Sequence, residues 1–143
     1  MKSLDTLIRL QKWQLDEKRR QLVELRRMYD DLCTAIARLD QEIAAEATLA
    51  TSDPSLGATF GVFAQAARGR RDKLVASRAE LDARIEGAEQ EIAEAFGELK
   101  KIEVTKQGRE ARAQAQLARR EQAALDEVGG LMMRRRQVAA AAD

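Results

Sequence analysis

The chain has no histidine, one cysteine and one proline, and its 143 residues carry only five aromatic rings: Trp13, Tyr29, Phe60, Phe63 and Phe96. Each scarcity excludes something. Without histidine the commonest metal ligand and the commonest general base are missing. A lone Cys33 forms no intrachain disulfide and fits a reducing compartment. It follows Leu32 in a regular apolar row, which points to a packing role. Few aromatics leave too little bulk for a thick core. With a single proline, long helices are permitted almost everywhere. No apolar run reaches the roughly 18 residues needed to span a membrane. The 25 basic and 24 acidic side chains nearly cancel. That balance supplies no whole-chain field for nucleic acid or an anionic membrane. We therefore expect no nucleic-acid partner and no direct membrane insertion. The opening Met1-Lys2-Ser3-Leu4-Asp5 turns charged at once and lacks the apolar core of a signal peptide, which gives a cytoplasmic expectation.

Chemistry is equally sparse. There is no glycine-rich phosphate loop, no dinucleotide fingerprint, no histidine-bearing triad and no cysteine cluster. Carboxylates abound, but on a thin helical body they are solvated and no pocket shifts their titration. The expectation is a non-enzymatic protein with no cofactor and no metal.

What is present is periodicity. Steps of four and three from the N-terminus give Leu4, Ile8, Gln11, Leu15, Lys18, Leu22, Leu25, Tyr29, Leu32, Ile36, Leu39 and Ile43, and ten of these twelve are apolar or aromatic. A spacing averaging 3.5 residues keeps a seam on one side of a helix, as in a coiled coil. Helix 1 is expected over about 3–47, with Ser3 as N-cap and Asp5 at the positive end of the dipole. At 1.5 Å per residue it would be a rod roughly 60 Å long. The hinge, about 48–58, gathers Thr48, Thr51, Ser52, Asp53, Pro54, Ser55 and Gly57. Within it, Asp53-Pro54 reads as an N-cap followed by proline in the first helical turn.

Helix 2, about 59–128, carries a second row: Phe60, Ala64, Ala67, Arg71, Leu74, Arg78, Leu81, Ile85, Ala88, Ile92, Ala95, Leu99 and Ile102. The row then turns polar. Folding the helices back antiparallel predicts facing residues whose numbers total 106 or 107, such as Leu25 with Leu81 and Leu15 with Ile92. It also sets Arg78 over Tyr29 for a cation–π contact. On this reading helix 2 loses its seam where helix 1 has nothing more to offer. The fold class is all-α: a long antiparallel two-helix coiled-coil hairpin, helix 2 longer than helix 1, one domain over 1–143. It is expected to be a monomer when free, with a dimer of hairpins as the alternative. Beyond Ile102 only a weaker row remains, Ala113, Leu117, Ala124, Val128 and Leu131, and it requires a stutter. Gly129-Gly130 is expected to end or kink the helix, leaving a basic tail over 129–143.

Candidate partner-binding residues fall into four groups. Leu7, Leu10 and Trp13 lie off the seam. They form either a strip lying over neighbouring aliphatic stems or a partner contact, since exposed aromatics are enriched at hot spots. Arg68, Arg70, Arg71 and Lys73, relieved only by Asp72, are either a solvated face or a site for an acidic partner. Arg119 and Arg120 add charge farther along. Met132 and Met133 followed by Arg134, Arg135 and Arg136 are either a disordered basic end or an adaptable apolar contact beside a cationic patch.

The opening Leu4-Asp5-Thr6-Leu7-Ile8-Arg9-Leu10-Gln11-Lys12-Trp13-Gln14-Leu15-Asp16-Glu17-Lys18-Arg19-Arg20 resembles the start of flagellar export proteins of the FliJ family, particularly the alphaproteobacterial type. So do Ser52-Asp53-Pro54 and Ala64-Gln65-Ala66-Ala67-Arg68. Glu121-Gln122-Ala123-Ala124-Leu125-Asp126-Glu127 is similar to a late segment of the family, with Ala123 where a basic residue is usual. The resemblance implies an antiparallel coiled coil similar to the central stalk of rotary ATPases. It would sit in the flagellar export ATPase ring, promote ring assembly, contact the membrane-embedded export gate and recycle export chaperones. That would place it in the cytoplasm, peripherally associated with the inner membrane at the flagellar basal body. The ends expected to enter the ring carry Leu7, Leu10, Trp13 and the segment after Ile102. A generic coiled-coil scaffold, an injectisome stalk equivalent and a chaperone-like escort of export substrates are the other readings.

Overall fold

The computed structural model describes residues 2–142. Helix α1 runs Lys2–Ser52, a short 3-10 turn covers Pro54–Leu56, and helix α2 runs Gly57–Ala142. The fold is an all-α antiparallel two-helix hairpin whose second helix is the longer, 86 residues against 51. By contacts the chain divides into two units, Arg9–Gly97 and Met1–Ile8 with Glu98–Asp143.

In the unit Arg9–Gly97, α1 and α2 pack along the two predicted rows. Leu15, Leu22, Ile36 and Leu39 are buried from one side, and Ala64, Ala67 and Leu81 from the other. All seven belong to the rows. Small Ala64 and Ala67 lie next to the turn, where short side chains let two helices approach closely. Leu25, Tyr29, Leu32, Leu74, Ile85, Ala88 and Ile92 are half-buried, as expected of a two-helix seam with open flanks.

The turn is tighter than its composition suggests. Helix α1 does not stop near residue 47 but continues to Ser52. The hydroxyls of Thr48 and Thr51 donate to the carbonyls of Ala44 and Ala47, at 3.0 and 2.8 Å, and Ser52 donates to Leu49 at 2.9 Å. These turn-forming side chains are thus satisfied within the helix. Asp53 leaves the helix with extended backbone, φ −135° and ψ 105°. Its carboxylate accepts from the Ser55 amide at 3.0 Å and from the Ser55 hydroxyl at 2.7 Å. Those bonds hold the Asp53 carboxyl below its ordinary titration range, the Ser55 hydroxyl contributing most. Pro54, with φ already fixed and no N–H to satisfy, takes the first turn after this cap. Gly57 is helical at φ −58° and opens α2. At the other end of α1, Ser3 lies inside the helix rather than capping it.

The alignment of the helices also differs from expectation. Asp40 pairs with Arg71, and the Arg78 guanidinium Nη1 lies 4.0 Å from Cys33 Sγ. The residue numbers total 111 in both pairs, against the expected 106 or 107. Arg78 therefore sits beside Cys33, not over Tyr29. The physical reason lies in side-chain direction. Each Cα–Cβ bond tilts toward its own helix N-terminus, so in an antiparallel pair a residue at one core position of the heptad packs on the other core position of its partner. The expected alignment had matched like positions, as parallel helices do. Arg26 and Glu89, at 2.8 Å, close the same flank farther along.

In the second unit, Ile8 and Leu99 are buried and Leu4 and Ile102 half-buried. Lys106 ends this seam by pairing with Asp5, with Glu110 at 3.8 Å. The hydrogen bond to Asp5 raises the Lys106 ammonium above its ordinary titration range. Past Lys106 every described residue except Gly130 is exposed. The helix does not end at Gly129-Gly130. Neither glycine has positive φ, and the residues after them, Leu131, Met132, Met133, Arg134, Arg135 and Arg136, are good helix formers. The expected tail from residue 129 is therefore a continuation of α2 to Ala142.

Candidate functional site

The expected contact residues separate by burial and by helix face. Within Arg9–Gly97, Leu10 is 48 % exposed and Trp13 60 % exposed, three residues apart on α1. Both lie off the seam, whose nearest members are Gln11 and Leu15. Trp13 borders a shallow groove with Gln14, Glu17, Lys18, Gln21 and Glu91. The indole thus has aliphatic stems beside it yet keeps most of its surface in solvent. Leu7, in the other unit, is 37 % exposed.

The basic cluster on α2 does not act as one patch. Arg71 occupies a seam position, half-buried, and its Nε donates to Asp40 at 2.6 Å. That bond raises the guanidinium further above its ordinary range, so Arg71 is committed to holding α1. Arg68, Arg70 and Lys73 remain exposed. Arg70 edges a groove with Ala35, Arg38, Leu39, Glu42 and Leu74.

In the unit containing Glu98 onward, Arg119, Arg120, Met132, Met133, Arg134, Arg135 and Arg136 are all exposed. Met132 and Met133 do not form one contact. Neighbouring residues on a helix point about 100° apart, so Met132 shares a face with Leu125 and Val128 while Met133 points elsewhere. Leu125 and Val138, at 66 % and 70 % exposure, belong to the same broad face and were missed as candidates. Their spacing from Val128, Leu131 and Met132 was the available signal. It was obscured because Glu121 and Arg135 interrupt the row.

A second overlooked feature is a groove in the hairpin lined by Met28, Asp31, Leu32, Ser77, Glu80, Leu81 and Arg84. Met28 lies off the seam and is exposed there. Among the described residues, no group of three or more His, Cys, Asp or Glu is placed to hold a metal ion. No described helix is long and apolar enough to cross a membrane. The arrangement offers side surfaces and one uncovered helix.

No curated protein and no solved structure matches the chain. The model of the family described as "Flagellar FliJ protein" matches residues 1–138. With nearly its whole length under that match, and with a two-helix hairpin behind it, this chain belongs to the FliJ family, non-catalytic components of the flagellar protein export apparatus.

Proposed function

We propose that this chain acts as a central stalk for the export ATPase, promoting assembly of the ATPase ring and coupling it to the export gate and to export chaperones. One observation carries the proposal. A helix pair holds the covered part of the chain, and past Lys106 α2 continues for 36 described residues with almost nothing covering it. An isolated helix gains nothing from its exposed leucines, valines and methionines in water. A surrounding ring would cover Leu117, Leu125, Val128, Leu131, Met132 and Val138 and be held in register by them. Arg119, Arg120, Arg134, Arg135 and Arg136 would meet acidic groups of the ring subunits. Leu7, Leu10 and Trp13 supply further apolar contact from α1. Arg68, Arg70 and Lys73 suit an acidic surface on the gate or on a chaperone. In this role the protein works in the cytoplasm, against the inner membrane at the flagellar basal body.

The experiment is titration into the cognate export ATPase, following hexamer formation and hydrolysis rate together. Both should rise. Trp13→Ala and removal of residues 103–143 should blunt the rise. If neither hexamer nor rate changes at excess protein, the stalk role is wrong and a scaffold role is the better account.

A further inference from the structure

We propose that the exposed end of α2 pairs antiparallel with the same segment of a second copy of this chain. This pairing buries the same face that the stalk role gives to the ring, so it belongs to the free protein and competes with ring entry. Its test uses the protein alone and stands or falls apart from the stalk role. The positions 117, 121, 124, 128, 131, 135, 138 and 142 continue steps of four and three, and they read Leu, Glu, Ala, Val, Leu, Arg, Val and Ala. The neighbouring positions 118, 125, 132 and 139 are Ala, Leu, Met and Ala, so the apolar face is wider than a bare seam. The large members, Leu117, Leu125, Val128, Leu131, Met132 and Val138, are all half or more exposed. On one flank, Arg120, Glu127 and Arg134 follow at seven-residue spacing with alternating sign.

Charge decides both the occupant and its direction. A parallel copy would set Arg135 against Arg135 and Glu121 against Glu121 inside the seam. An antiparallel copy, centred between Gly129 and Gly130, sets Val128 on Leu131 twice and Glu121 on Val138. Arg135 then meets small Ala124, with room to reach Glu121 of the second copy one turn away. On the flank, Glu127 faces Arg134 of the second copy, and the two-fold axis repeats the pair. On the opposite flank Leu125 meets Met132. The two glycines fall on the outer face, where the pairing makes no demand on them. Each charge in the strip thus finds an opposite charge or a small neighbour, which is how partner and orientation are selected in helix pairs. This is the dimer of hairpins that the sequence left as an alternative, with its interface assigned.

The test is sedimentation velocity on the full chain, under reducing conditions, from micromolar toward millimolar concentration. We expect a dimer whose fraction grows with concentration. Glu127→Arg or Arg134→Glu alone should weaken it about tenfold or more, since each places like charges together twice. The double variant, Glu127→Arg with Arg134→Glu, should restore it. Val128→Asp with Leu131→Asp should abolish it and leave the thermal transition of the hairpin unchanged. A monomer at every concentration, a double charge reversal as weak as the singles, or a dimer that survives Val128→Asp with Leu131→Asp would each overturn the proposal.

Discussion

The hairpin and the far end of α2 are built from the same kinds of residue, yet only one of them has a partner. Within Arg9–Gly97, leucines and isoleucines at seam spacing face a second helix of the same chain and are buried. Past Lys106, leucines, valines and methionines at similar spacing face solvent. A heptad row is therefore a demand for a partner and does not itself say where the partner comes from. In the hairpin the tight turn supplies it. In the extension no described residue of the chain supplies it.

The sharpest way to break that contrast is to put a charge in each region. Leu39→Asp should cost the hairpin several kcal/mol, at or above the roughly 2–5 kcal/mol of a core leucine truncation, and thermal denaturation followed by circular dichroism would show it. Leu131→Asp should move the same transition by no more than about 0.5 kcal/mol, as for a surface site. Equal effects would mean that the extension is covered after all.

Amide hydrogen exchange sharpens the contrast residue by residue. At concentrations where the chain is monomeric, backbone amides over 107–142 should exchange far faster than those around Leu22 and Leu81, because an uncovered helix opens locally while a packed one opens with the hairpin. A smaller effect is expected at the glycine pair. A Cβ added at Gly129 or Gly130 meets nothing within 4 Å. Gly129→Ala with Gly130→Ala should therefore stabilise the helix there by up to about 1 kcal/mol per residue. The readout is increased helicity and slower exchange over 124–135, with the hairpin transition unmoved.

The smallest effects concern pH. Lys106 is raised by its bond to Asp5, so its contribution is complete below the unfolded lysine value and lost as pH climbs through the folded one. Melts should diverge between wild type and Lys106→Met only below that range and converge above about pH 10 to 11. Asp53 has the opposite sign. Its lowered carboxyl contributes above the unfolded value and is lost as pH falls through the folded one. Exchange protection at the Ser55 amide should fade only below about pH 4.

Much of the fold was legible because a 3.5-residue spacing leaves little choice. Every buried side chain among the described residues, from Ile8 to Leu99, lies on one of the two rows visible in the sequence. The end of the covered seam at Lys106 follows from the last apolar position, Ile102, and from the length of α1. The alignment was not legible from the rows alone. Two registers half a heptad apart both bring apolar residues together. The choice depends on the tilt of the side chains and on the few residues in the turn, neither of which hydropathy records. The helical run through Gly129-Gly130 was missed because glycine was read as a stop, although nothing there requires left-handed backbone. Among the candidate site residues, exposure of Trp13 was legible from its offset to the seam. The commitment of Arg71 to Asp40 was not, because it depends on the register.

The four residues between Ser52 and Gly57 have a consequence for how this chain can change length. Asp53 and Pro54 act as a fixed origin from which both helices are counted. An insertion of one residue in α1 would rotate every later side chain by about 100° against an unchanged α2. Alterations to the hairpin that keep its layers intact must therefore come in sevens and in matched pairs, one on each side of the turn. The helix beyond Lys106 is under no such rule from α1; its length answers only to whatever partner covers it.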